Sequence, residues 1–253
     1  MMLKHIGILL AGLVFAGVAQ ASLSSTVPLM PVDIDWHDQG ALQRGAKMYM
    51  NYCSGCHSLK YMRYNRMARD LGLTTFDGDV DTGILQSNLI FTQARIHDPI
   101  EISMPATDAR QWFGVVPPDL SLIARKRSPS WLYTYLHSFY DDASKPFGVN
   151  NMLFPDVAMP NVLASLYGKR VPVRESQEKN AAISHLVRVA DGSMTEQEYN
   201  RSIQDLVTFL AYVAEPVKLE RQRIGMFVLA FLAVFLVIVY LLKSLYWKKL
   251  KQK

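Results

Sequence analysis

The sequence predicts a mainly α-helical exported domain carried on one C-terminal transmembrane helix. Three observations lead there. The chain opens on a short apolar run closed by Ala19-Gln20-Ala21, and it ends near an uncharged apolar run from Ile224 to Leu242. Between them, apolar residues recur mostly at helical spacing, and long polar loops separate the helical stretches. With 253 residues, half of them hydrophobic, the chain is ample for one domain with a core and short for two large ones.

The N-terminal segment carries Lys4 ahead of an apolar run from Ile6 to Ala19. A basic start, a short apolar stretch and an A-x-A site describe a secretory signal peptide over residues 1–21. A spanning helix needs about 20 apolar residues, and this run falls short of that. Mitochondrial transit peptides are Arg-rich and amphipathic; this segment is neither, so a bacterial host is expected. The run Ile224–Leu242 is long enough for the hydrocarbon layer, about 28 Å at 1.5 Å per residue. Tyr240, Tyr246 and Trp247 gather at its C-terminal edge, as interfacial aromatics do. Lys243, Lys248, Lys249, Lys251 and Lys253 follow it, which by the positive-inside rule puts the tail in the cytoplasm. The expected organisation is a signal peptide over 1–21, a periplasmic domain over 22–222, a transmembrane helix over 223–242 and a basic tail over 243–253. The chain is thus expected in a bacterial inner membrane, crossing the lipid bilayer once.

The net charge of +5 reflects that tail. Residues 22–223 are close to balanced, so the basic composition reports topology and implies no nucleic-acid partner.

The two cysteines of the chain fall in Cys53-Ser54-Gly55-Cys56-His57. Two thiols at this spacing followed at once by His form the attachment pattern for one covalent c-type haem. The thiols reach two vinyl groups on one porphyrin edge, and the adjacent imidazole of His57 supplies the proximal ligand. The competing readings are weaker. A thioredoxin-like pair wants a strand before it, and Arg44–Tyr52 reads as helix. Zinc needs further soft ligands that a chain with two cysteines lacks. A disulfide leaves the His unexplained. Thioether attachment uses both sulfurs, so the haem itself is expected to serve as core.

Electron-transfer haems are capped on both faces, and a Met opposite the His raises the potential. Met104, in Ile102-Ser103-Met104-Pro105-Ala106, and Met159, in Phe154-Pro155-Asp156-Val157-Ala158-Met159-Pro160, each stand beside a Pro that stiffens the loop. Chemistry alone leaves both open. His97, His137 and His185 are lesser alternatives, since a lone His is more often structural.

The chain resembles the bacterial cytochrome c1 family, the haem subunits of ubiquinol–cytochrome c reductase (bc1) complexes. The resemblance rests on Leu42-Gln43-Arg44-Gly45 before the haem motif, and on Cys56-His57-Ser58-Leu59 followed by Tyr61 and Tyr64. It continues through Pro117-Pro118-Asp119-Leu120-Ser121, the Phe154–Pro160 segment and the single C-terminal anchor. It implies a cytochrome c-type haem domain with long inserted loops, and it implies that Met159 is the distal ligand. By the same resemblance Pro118 lines the haem pocket, Arg127 meets a haem propionate, and Trp131 takes the place of a family Tyr. Arg110-Gln111-Trp112-Phe113-Gly114 departs from the family's short Asn- or Gly-containing loop, so no haem contact is carried over there. The implied function is an electron relay that joins cytochrome b and the Rieske iron–sulfur protein in a membrane complex. It would take one electron from the Rieske protein and pass it to a soluble cytochrome c. Two other readings compete: a membrane-anchored cytochrome c feeding a terminal oxidase with Met104 as ligand, and a haem enzyme with an open distal site.

In more detail, the sequence predicts a helix over 41–52 that delivers Cys53, and its continuation over 60–71. Residues 72–83 read as a polar, flexible loop. A helix from Pro129–Ser130 to Phe139 follows, with Ser130 as its cap. Residues 167–184 form a polar excursion of no clear period. A helix over 195–213 opens with a capping box of Thr195 and Glu198. Asp77, Asp79, Asp81, Asp141 and Asp142 read first as solvated loop carboxylates and second as a docking surface for a basic carrier.

Overall fold

The structure is a computed structural model that describes residues 27–175 and 183–251; the expected signal peptide lies outside the described residues. In chain order the elements are α1 (Gln39–Tyr52), β1 (Leu59–Arg63), α2 (Tyr64–Asp70), α3 (Thr82–Asn88), β2 (Pro99–Ile100), α4 (Ala106–Phe113), α5 (Ile123–Lys126) and α6 (Pro129–His137). They continue as β3 (Phe139–Asp141), β4 (Val149–Asn151), α7 (Ala164–Tyr167), β5 (Gly168–Arg174), β6 (Ile183–Asp191), α8 (Glu196–Ala214) and α9 (Lys218–Lys251). The strands form three separate antiparallel pairs, β1–β2, β3–β4 and β5–β6. The fold is mainly α.

Helix α1 starts where Asp38 Oδ1 accepts from the Ala41 N–H at 2.9 Å. Its buried residues Ala41, Leu42, Gly45, Ala46, Tyr49 and Met50 repeat every three or four positions, so they form one stripe. That stripe packs on α8. The crossing is close at Gly45, where a Cβ would lie 2.6 Å from Phe209 Cβ and would also meet the Asp205 backbone. Only glycine fits there. Beside it Arg44 grips the buried Asp205 with two hydrogen bonds, of 2.6 and 3.1 Å. Helix α8 opens with the expected capping box: Glu198 N–H donates to Thr195 Oγ1 at 3.3 Å, and Thr195 N–H donates to Glu198 Oε2 at 2.8 Å. From Leu206 to Ala214 every residue of α8 is buried, because α1, α5, α6 and α7 pack around it.

Several expectations change. Residues 60–71 are not one helix. Leu59–Arg63 is a strand paired with Pro99–Ile100, since its N–H groups find partners far along the chain. Lys60 N–H donates to Asp119 Oδ2 at 2.9 Å and Tyr61 N–H to Ser121 Oγ at 3.2 Å. Residues 72–83 form a tight reversal bridged at Thr74 and Val80, after which Asp81 caps α3 through Ile84 N–H at 2.9 Å. The cap of α6 is Ser128, whose Oγ accepts from Trp131 N–H at 3.2 Å, with Pro129 in the first turn. Helix α6 ends at His137, and the next residues enter β3. Of the excursion after Tyr167, residues 176–182 lie outside the described residues; the rest pairs β5 antiparallel to β6, in a register running from Gly168 opposite Asp191 to Arg174 opposite Ile183.

Helix α9 holds 34 residues and is exposed along its length, with a mean hydropathy of 3.0 over its most apolar window. Among the described residues it is the helix long and apolar enough to cross a membrane. It extends beyond the apolar run at both ends. At its start Lys218 Nζ sits 3.8 Å from the centre of the Trp36 ring.

Candidate haem site

Cys53 caps the end of α1, its N–H donating to Tyr49 O at 2.8 Å. The next turn folds back, with Cys56 and His57 N–H both donating to Cys53 O at 3.1 and 2.9 Å. Both cysteines and His57 therefore belong to one compact turn. The two sulfurs are not bonded to each other. Tyr49, fully buried, closes the turn from below by donating its hydroxyl to His57 O. Burial, with a smaller effect from Cys56, pushes the Cys53 thiol up to about 12. A thiol held neutral suits an apolar partner and is ill suited to thiolate redox chemistry.

The His57 ring is oriented by the segment 117–121. Nδ1 lies 2.7 Å from Pro118 O. A carbonyl only accepts, so Nδ1 carries the proton and Nε2 is left with its lone pair. Burial lowers the His57 pKa, opposed by the Pro118 hydrogen bond and the charge of Asp119. The neutral ligand form is thereby favoured. The segment is itself pinned: Leu120 N–H donates to Ser58 O at 2.9 Å, and Asp119 accepts from Lys60 and Ser121 N–H at 2.9 Å each.

Trp131 and Tyr135 lie four residues apart on one face of α6, and Arg127, at the end of α5, stands four residues before Trp131. The Arg127 guanidinium lies 4.9 Å from the Trp131 ring centre. Trp131 stacks on Tyr135 at 5.0 Å and 10°. The Tyr135 hydroxyl then reaches Met159 Sδ at 3.4 Å. The structure thus joins Arg127, Trp131 and Met159 through a residue that the sequence reading missed. The spacing from Trp131 was the signal that could have found it. Burial pushes the Tyr135 phenol well above its ordinary value, so it stays a donor.

The loop that carries Met159 is shaped by two further residues missed in the sequence, Asn150 and Asn151 on β4. Asn151 Oδ1 accepts from Leu153 and Phe154 N–H, both at 3.0 Å. Asn150 Oδ1 accepts from Asp156 N–H at 2.9 Å. Asp156 holds a left-handed φ of 59° and pairs with Lys145 at 2.5 Å. Met104 stands just before α4, half-buried, and among the described residues no hydrogen bond reaches its sulfur. His137 is engaged at both ring nitrogens, by Tyr133 O and Asn200 Oδ1 at 2.8 Å each. His97 and His185 lie on the exposed surface.

The donor set fits a c-type haem. Two thiols and an imidazole with a free Nε2 share one turn, and the Met159 thioether and the Arg127 guanidinium each meet a ring carried on α6, Tyr135 and Trp131. The family model described as the Cytochrome C1 family matches residues 33–250. The chain belongs to the cytochrome c1 family. Family membership makes it a haem protein of respiratory electron transport. Cytochrome c1 of Allochromatium vinosum is 49% identical over 223 residues, covering 87% of this chain and 88% of that one. A Nitrosomonas europaea protein named ammonia monooxygenase gamma subunit is 40% identical over 246 residues, covering 97% and 99%. A chain of a hyperthermophilic respiratory Complex III superposes with a TM-score of 0.43 at 15% identity, covering 98% of each.

Proposed function

We propose that this cytochrome c1 family member is the electron-transfer subunit of a bc1 complex. It passes one electron from the Rieske iron–sulfur protein to a soluble cytochrome c, with cytochrome b as its membrane partner. The observation that carries this reading is that two candidate iron donors are each held by a hydrogen bond from a separate packed segment. Pro118 O orients His57, and the Tyr135 hydroxyl meets Met159. Donors fixed on both sides suit a relay, because little needs to rearrange when the charge changes.

When bound, the haem supplies a one-electron iron couple. Cys53 and Cys56 would attach it, His57 Nε2 and Met159 Sδ would ligate it, and Arg127 would face a propionate with its two-point fork. Trp131 holds Arg127 in place by stacking under it. The haem domain over 22–222 would lie in the periplasm, α9 would anchor it in the bacterial inner membrane across 223–242, and the tail over 243–253 would be cytoplasmic.

Ferric haem with a Met ligand shows a weak absorption band at the red edge of its spectrum. Met159→Leu is expected to abolish that band, and Met104→Leu to keep it; the reverse outcome would favour the oxidase-feeding reading. Isolation of the solubilised chain with a cytochrome b and an iron–sulfur protein supports the bc1 affiliation. Isolation with a monooxygenase, as the name of the Nitrosomonas relative would suggest, would overturn it.

A further inference from the structure

Tyr135 is held on several sides. Its ring stacks on Trp131 and meets the Phe139 ring edge-on at 5.2 Å and 73°. Its backbone carbonyl accepts from Asn151 Nδ2 at 2.8 Å, and the same Asn151 shapes the loop leading to Met159. Among the described residues the hydroxyl has one partner, Met159 Sδ. A thioether is a weak acceptor, and a packed phenol usually finds a carbonyl or a water instead. The arrangement spends a rigid donor on a sulfur.

We propose that Tyr135 is a positioning residue that raises the haem potential by donating its hydroxyl hydrogen to the Met159 sulfur. The proposal rests on the reading of Met159 as distal ligand. A hydrogen bond to the sulfur draws electron density from it and weakens its donation to iron. Ferric iron gains more than ferrous iron from a strong donor, so a weakened sulfur favours the reduced state. The hydrogen bond also restricts the loop, because α6 and the residues around Met159 then move as one body.

The test is a redox titration of the membrane-bound complex, with the ferric spectrum recorded for each variant. Tyr135→Phe keeps the ring and its stacking, and it orphans only a weak acceptor. It is expected to retain the red-edge band and to lower the reduced-to-oxidised ratio at fixed poise by about three- to tenfold. Tenfold corresponds to about 59 mV for one electron. Phe139→Leu disturbs the same ring without touching the hydroxyl and is expected to leave the midpoint at the wild-type value. Placing 4-aminophenylalanine at position 135 restores a donor on the same ring and is expected to return the midpoint toward wild type. A wild-type midpoint in Tyr135→Phe with the band intact overturns the proposal, as does a failure of the amino variant to recover. A wild-type band in Met159→Leu overturns instead the ligand reading beneath it.

Discussion

Pro118 contributes no polar side chain, yet its carbonyl decides which nitrogen of His57 keeps a lone pair. That carbonyl is where it is because Asp119, one residue on, accepts two backbone N–H groups from different parts of the chain. Asp119→Ala would leave both donors without their acceptor and loosen the support of His57. The expected cost is about 1–3 kcal/mol of stability, read as a lower thermal midpoint of the solubilised protein, and its haem spectrum should broaden as the imidazole orientation relaxes. A wild-type melt would show that the backbone alone holds the segment. At this scale the grouping of Cys53, Cys56 and His57 in one turn was legible, because three neighbouring residues carry the whole pattern. The hold of the Pro118 carbonyl on His57 was not, since it is a backbone contact between residues 61 positions apart.

Among the elements, the α1–α8 crossing supports the candidate haem turn, because α1 ends directly in Cys53. Its close point is Gly45, so Gly45→Ala would force the two helices apart. Overpacking of this kind costs about 1–3 kcal/mol or more, and lower levels of haem-containing protein in the membrane are expected. The start of α8 makes a pH prediction. Glu198 sits below the usual carboxylate value, chiefly because it accepts from Thr195 N–H and then from the Thr195 hydroxyl. A depressed carboxylate stabilises above its unfolded value and loses that contribution as pH falls through its folded value. Acidification below about 4.5 should therefore lower the thermal midpoint more steeply in the wild type than in Glu198→Gln. Helices α1 and α8 were legible from periodicity and capping residues. Strand β1 was not, because its apolar spacing suits a helix and the side chains that accept from its N–H groups lie 59 and 60 residues away. For α6, the positive φ of Ser128 before Pro129 marks the cap that the sequence reading placed two residues later.

For the whole molecule, the structure sorts the acidic residues by what they do locally. Asp81 caps α3, and Asp142 accepts from Ser144 and Asn150, so both have structural tasks. Asp77 and Asp79 remain exposed in the reversal before α3, and they are the pair to test for docking of a basic carrier. Changing both to Asn should flatten the salt dependence of the proposed electron transfer to a soluble cytochrome c, with α3 left intact. An unchanged slope would return them to solvated loop carboxylates.

What the sequence by itself determined is what short stretches can carry: the Cys53–His57 pattern, the C-terminal apolar helix and the two long amphipathic helices. Each rests on residues within a few turns of one another, so local spacing suffices. The tertiary structure alone decided the tautomer of His57, the strand at 59–63, the pairing of β5 with β6 and the surroundings of Met159. Each of these depends on hydrogen bonds or packing between residues that only folding brings together, from the Tyr135–Met159 contact across 24 positions to the His57–Pro118 contact across 61. A chain read in order carries no periodic trace of such pairings.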